Sequence, residues 1–250
     1  MVTHGAKSRA TARRLELTRA TNNSLARAQI CFVTVPDGNV AAVAETIAMK
    51  LGARTAVVHC AGALGLDGLG SEAALGGRAR GSFHPLCALS APTDSVAGYS
   101  VAISSNSAGV VRVLRQTARA LELTPITAPD SARAAYHAGA VMSAGGLVCL
   151  LSAAVRVWSE AGIAEADALE ALLPLMRSAL QNVSERGLER GLTGPFVRGD
   201  AEAVKRHIRS LPADLRPLYR SLGTEALRLA GPTLTDAQRR ALGLSLRTGP

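Results

Sequence analysis

Two histidines stand where short apolar runs stop. His59 ends Thr55–His59 (TAVVH) and leads into Cys60-Ala61-Gly62, and His84 stands in Ser82-Phe83-His84-Pro85. A third, His137, follows Tyr136 inside a long uncharged stretch. Imidazole is the side chain most easily poised for proton transfer near neutral pH. His84 and His137 are therefore the candidate catalytic acid or base, with Tyr136 beside them to position substrate. The plainer alternative for His59 and His84 is a hydrogen bond that caps the histidine's own loop. In open α/β sheets ligands gather at the carboxyl ends of strands. A third such end is Val35-Pro36-Asp37. Val35, Pro36, Asp37, His59, Cys60 and Gly62 together form the candidate cofactor-binding set.

Two other stretches are chemically marked. Lys7-Ser8-Arg9 follows a short apolar run at Val2–Ala6. A basic cluster after such a strand accommodates the 2′-phosphate of NADP, where an acid would bind the ribose hydroxyl of NAD. The second stretch is a polar, Gly-rich joint from Leu192 to Asp200 (LTGPFVRGD). Asp200 there suits the start of a helix that carries Val204, Ile208 and Leu211, with His207 two turns on. Thr193, Gly194, Arg198, Asp200 and His207 are the candidate substrate-binding residues, since Arg suits carboxylates. A well-made turn and cap would explain the same residues. The sequence contains no Ser/His/Asp signature, metal-ligand spacing, Walker loop or G-x-G-x-x-G.

The elements that must hold these residues change character near residue 128. Before it, apolar runs alternate with helical patterns, as in a parallel α/β sheet. Strands are predicted at Gln29–Val35, Thr55–His59, toward His84-Pro85, at Tyr99–Ser104 and at Glu122–Thr127. Helices are predicted at Ser8–Leu17, around Val40–Leu51, and after a cap at Asn106 or Ser107. Beyond Pro129 only helices are expected: Asp130–Glu160, Ala164–Gly187 with Pro174 kinking or dividing it, Asp200–Leu211, Asp214–Ala230 and Thr235–Leu242. The domains are thus 1–128 and 129–250. The uncharged run Ala134–Trp158 is apolar on all sides, which predicts a helix buried on all sides. It is also long enough to span a bilayer at about 1.5 Å per residue. Its Ala and Gly content, Tyr136 and His137, and the lack of a basic flank favour the central helix of a helical domain instead, with Asp130 or Ser131 as its N-cap.

The 250 residues are 48% hydrophobic but only 3% aromatic, so the core is built from Ala, Leu and Val. The net charge of +9 comes mainly from Arg scattered among acids. Without a basic block or stacking aromatics this does not favour nucleic acid. An anionic small molecule explains the charge as well. Four dispersed cysteines and a basic N-terminus without an apolar core suggest a reduced, cytoplasmic protein rather than a secreted or membrane one.

Six segments in order resemble a known family: TVPDGNV at 34–40, HCAG at 59–62, SFHPL at 82–86, YHAGAV at 136–141, LLPLMRSALQNV at 172–183 and LTGPFVRGDAEAVKRH at 192–207. Together they resemble bacterial Rossmann-like proteins bearing a C-terminal domain of unknown function 2520, from about Val2 to Ala230. That family is similar to ketopantoate reductase, pyrroline-carboxylate reductase and the 6-phosphogluconate dehydrogenase group. The resemblance implies an N-terminal NADP-type Rossmann domain and a helical C-terminal domain, often dimeric through its helices. The His84-Pro85 corner is also similar to one in prephenate dehydrogenases, where the histidine contacts substrate. Two departures stand out. The chain starts about where the family's second strand does, without the strand and Gly-rich loop that reach the pyrophosphate. It also has Ala144-Gly145 where the family has Ser-Asn.

The expectation is an N-terminally truncated α/β Rossmann-like parallel sheet followed by an all-α domain. Its expected activity is that of an NADP-dependent oxidoreductase, with NAD as the alternative cofactor. It would act on a small, anionic carbonyl or imine compound in the interdomain cleft and form a homodimer. The competing expectation is a non-catalytic descendant that binds a ligand or protein partner as a helical dimer.

Overall fold

The computed structural model describes residues 10, 12–13, 16–18, 20–91 and 94–247. Two compact units emerge, Met1–Ala144 and Gly145–Pro250. The expected first strand at Val2–Ala6, most of the helix at Ser8–Leu17 and the cluster Lys7-Ser8-Arg9 lie outside the described residues. A short helix, α1 (Asn22–Ala26), opens the well-described part.

The first unit is built on five strands: β1 (Ile30–Val33), β2 (Ala56–His59), β3 (Arg80–Leu86), β4 (Ser100–Ser105) and β5 (Thr124–Thr127). They lie side by side in sequence order. β1 with β2, β2 with β3, and β4 with β5 are parallel. The strands were expected to be parallel throughout, but β3 and β4 are antiparallel, with Phe83 opposite Ile103. Parallel pairing needs a crossover, usually helical. The described residues between β3 and β4 contain no helix, so the chain turns back beside itself.

Both faces of the sheet are covered. Val57 packs into a core with Val33, Val40, Ala44, Ile47 and Leu69. Its neighbour Val58 packs on the opposite face with Phe83, Ile103, Leu114 and Ala118. This is why β2 reads as an unbroken apolar run rather than an alternating one. Helices α2 (Val40–Ala48) and α3 (Ala108–Ala120) carry the covering residues. Ser107 is the N-cap of α3 but makes no side-chain cap bond. Asn106 turns instead to β3, where its carboxamide oxygen accepts from the Arg80 N–H at 2.8 Å.

The long uncharged run departs from expectation. It is not one buried helix but two, α4 (Arg133–Ser143) and α5 (Gly145–Glu160), broken at Ala144 (φ −105°, ψ −79°). Ser143 Oγ donates back to the Gly139 carbonyl at 2.9 Å, and Gly145-Gly146 follows. Hydroxyl back-bonding and paired glycines both loosen a helix. Nor is the run buried: Met142 is 74% exposed and Val148 67%. Asp130–Glu160 is long and apolar enough to cross a membrane, with a mean hydropathy of 1.9. At its start α4 is fastened to β3 of the sheet by the hydrogen bond between Tyr136 and His84. Neither Asp130 nor Ser131 caps α4: the N-cap is Ala132, and Asp130 accepts the Leu66 N–H at 2.9 Å.

The second unit is all helical: α5, α6 (Glu165–Gly191), α7 (Pro195–Arg198), α8 (Ala201–Ser210), α9 (Arg216–Ala230) and α10 (Asp236–Arg247). Helix α6 is not divided at Pro174; two helical stretches join across a kink at Gly187 (φ +78°, ψ 175°), where the helix was expected to end. The main core joins Phe196, Val204, Ile208, Leu234, Leu242 and Leu246. A Cβ on Gly223 would lie 2.6 Å from Leu246 and 2.8 Å from Phe196, so α9 needs glycine there.

Candidate active site

The carboxyl ends of β2 and β3 gather the titratable side chains. Strand β3 outruns β2: its register with β2 ends at His59–Ser82, while its pairing with β4 continues to Leu86. His84 therefore stands beyond the end of β2, on the same face as Ser82. Its Nδ1 lies 2.8 Å from the Tyr136 hydroxyl of α4. The two rings meet edge to face, with centroids 5.7 Å apart and planes at 84°. The His137 ring lies 5.9 Å from that of His84. Gly62 closes the group from the β2 side. A Cβ there would lie 2.3 Å from His137 Cδ2 and 2.8 Å from His84 Nε2, so only glycine lets the loop approach both imidazoles.

His59 is wholly buried. Its Nε2 sits 3.2 Å from the Gly65 carbonyl, so that nitrogen carries the proton and donates. Its Nδ1 is then a bare acceptor with no partner among the described residues. Burial, with the nearby Arg133 charge, holds His59 below the usual imidazole range. Cys60 is pushed up to about 11 by burial, so its thiol stays protonated near neutral pH and is no nucleophile. Val35 is half-buried, and Pro36 and Asp37 are exposed where a 3-10 turn begins.

Sequence reasoning missed Arg133. It precedes Tyr136 by one helical turn and is only 2% exposed. Its Cζ lies 5.4 Å from the Tyr136 ring centroid, a cation–π contact. Its Nε and both Nη atoms have no hydrogen-bond partner among the described residues. In the sequence it is only the charged edge of an apolar run, and burial of an Arg is decided by tertiary contacts. Burial, together with the charges of Arg133 and His137, lowers His84 to about 4. His84 is therefore a neutral imidazole near neutral pH, able to accept or donate a hydrogen bond but carrying no proton to spare. Tyr136 is raised by burial, which outweighs the lowering effect of Arg133.

The remaining expected residues belong to the second unit. Asp200 Oδ1 accepts the Ala203 N–H at 2.9 Å and caps α8. Gly194 (φ +97°) opens α7, and Gly199 in the left-handed region closes it. Thr193 and Arg198 are exposed, and Arg198 has no acidic partner at ion-pair distance among the described residues. His207 Nδ1 lies 2.7 Å from the Tyr219 hydroxyl, tying α8 to α9.

The fold is shared with solved proteins. A Thermotoga maritima protein is 22% identical with a TM-score of 0.68, covering 91% of this chain and 87% of its own. A proposed NADP oxidoreductase from Bacteroides fragilis is 20% identical with a TM-score of 0.68, covering 90% and 84%. Pyrroline carboxylate reductase from Plasmodium falciparum, solved with NADP bound, is 12% identical with a TM-score of 0.55, covering 91% and 81%. At such identities these likenesses establish the fold, a Rossmann-like sheet followed by helices. Comparison with proteins of curated function finds no match. The family model of the domain of unknown function DUF2520 matches residues 99–226, just over half of the chain. The protein belongs to that family.

Proposed function

We propose that this protein is an NADP-dependent oxidoreductase, with NAD as the alternative cofactor, acting on a small anionic carbonyl or imine compound. The observation that carries the reading is the assembly of His84, Tyr136, His137 and Gly62 at the carboxyl ends of adjacent parallel strands. In such sheets this is where a nicotinamide ring is held. The described residues suit that end of a dinucleotide: Val35–Asp37, His59–Gly62 and His84 stand at or just beyond the carboxyl ends of β1, β2 and β3. They supply no Gly-rich helix start for a pyrophosphate. The nearest candidate, the start of α2, follows a 3-10 turn that carries Asp37, which would repel one.

A bound nicotinamide would supply or accept the hydride. The protein's part is to move one proton. As a carbonyl is reduced, its oxygen needs a proton, which His84 would relay from solvent while Tyr136 holds its ring; in the oxidative direction the neutral imidazole receives it. With Tyr136 donating to Nδ1, His84 presents an Nε2–H; in the other tautomer, the Tyr136 hydroxyl is free to donate onward. Tyr136 completes the proposed substrate contacts within the first unit, while in the second Asp200 caps α8 and His207 ties α8 to α9.

The test is a titration with NADPH and NADH followed by nicotinamide fluorescence, then a screen of carbonyl and imine compounds. Saturable NADPH binding, and NADPH oxidation that His84→Ala abolishes, are expected. Full turnover by His84→Ala removes the assignment. The second reading is a non-catalytic descendant, favoured by the helix break at Ala144, where the resembled family carries polar side chains. It predicts no oxidation with any substrate. Either form is proposed to dimerise through the exposed apolar residues of α4 to α6, such as Met142, Val148 and Leu175. Light scattering at the mass of one chain would refute that.

A further inference from the structure

We propose that Arg133 is the receptor for a carboxylate group, which makes the substrate of the proposed oxidoreductase a carboxylic acid. Its guanidinium is nearly inaccessible, yet none of its nitrogens has a hydrogen-bond partner among the described residues. A buried charge without a counter-charge or hydrogen bonds is strongly unfavourable. Its one close contact, the Tyr136 ring, engages a face of the guanidinium and leaves the N–H fork unfilled. No side chain in the described structure fills that fork: Asp130, the acid whose charge reaches it, turns one carboxylate oxygen to the Leu66 N–H and makes no hydrogen bond to Arg133.

Three further observations describe the surroundings. Helix α4 itself has no side-chain cap, and Asp130 in the 3-10 turn before it is the one acid at its start. The bare Nδ1 of buried His59 and the hydroxyl of buried Ser82 also lack partners, which marks polar lining rather than core. The groups facing His84 are Arg133, His137 and His59, with Tyr136 in hydrogen bond and Asp37 the single opposing charge. The five N–H donors of a guanidinium form a planar fork that matches a carboxylate in two parallel bonds. A carboxylate seated there would lie one helical turn from Tyr136. Its charge would cancel the field that lowers His84, so binding would itself prepare the imidazole to take up a proton.

The proposal rests on the oxidoreductase reading only for calling the carboxylate a substrate, and its test needs no cofactor. Pyruvate, acetate and neutral acetamide are titrated into the full chain by calorimetry, while the His84 ring is followed by NMR. Inorganic phosphate serves as the competing anion. Saturable binding of the carboxylates but not acetamide is expected, with an upward shift of the His84 titration. Arg133→Met should weaken binding about tenfold to a hundredfold, and Arg133→Lys, which keeps the charge but not the fork, by less. Without ligand, Arg133→Met should melt at a higher temperature than the parent, because an uncompensated buried charge is gone. A lower melting temperature for both variants with unchanged carboxylate binding would make Arg133 a structural residue and overturn the proposal. So would phosphate binding in preference to carboxylates, or no binding at all. Carboxylate binding without NADPH oxidation would sink the enzyme reading and leave this one standing.

Discussion

The molecule contains the same histidine–tyrosine pair twice. In the first unit His84 meets Tyr136 at 2.8 Å, with rings 5.7 Å apart at 84°. In the second, His207 meets Tyr219 at 2.7 Å, with rings 5.9 Å apart at 89°. The geometry is the same and the surroundings are not. The first pair lies at strand ends beside a buried, unpartnered guanidinium, a second imidazole and a glycine that has no room for a methyl group. The second lies on the outside of two helices, where His207 is exposed. The comparison teaches that the bond alone does not make a reactive centre. Low exposure and the field of Arg133 make the difference, because electrostatic effects grow where water is excluded.

The sharpest way to break this contrast is to remove each histidine. His84→Ala should lower NADPH-dependent turnover by about a hundredfold or more, the range expected for a lost acid–base group. His207→Ala should leave turnover within about twofold; equal losses from both would erase the distinction. Gly62→Ala comes next. Its methyl would collide with His137 and His84, so turnover should fall about tenfold to a hundredfold while the chain still folds. Unchanged kinetics would show that the close approach of the loop is not needed.

The third effect is on stability. His84 titrates near 6.5 when unfolded and at about 4 in the folded protein. Between those values the unfolded chain binds the extra proton, so stability is complete above pH 6.5 and is lost as pH falls towards about 4. Denaturant titrations should show a loss on the order of 2 kcal/mol across that window, removed in His84→Gln. A window unaffected by His84→Gln would refute the lowered titration. Smallest is Tyr219→Phe, which deletes one exposed hydrogen bond and should lower stability by about 1 kcal/mol or less, with no change in turnover.

Much of this was legible in the sequence. TAVVH reads as a strand because β2 is buried on both faces, and QICFV because its apolar run is short and stopped by Pro36-Asp37; the residues beyond them read as a site because strand ends are where such sheets bind ligands. The Asp200 cap was legible because its spacing to the following apolar stripe is local. What was not legible depends on partners distant in sequence. Arg133 looked like the charged end of an apolar run, and only packing shows it enclosed. The antiparallel turn into β4 leaves no periodic mark, because the residue pattern of a strand is the same whichever way it runs. The run from Ala134 to Trp158 was expected to be buried, but hydrophobicity records only that a surface avoids water and does not say whether its cover lies in the same chain.

The most direct test of the central claim is an NMR titration of the histidine Cε1–H signals, assigned with His84→Gln and repeated in Arg133→Met. The account predicts a His84 midpoint of about 4 in the parent and a clear rise when Arg133 is replaced. A midpoint near 6.5 that ignores the substitution would contradict it, leaving the His84–Tyr136 pair no more specialised than its counterpart in the second unit.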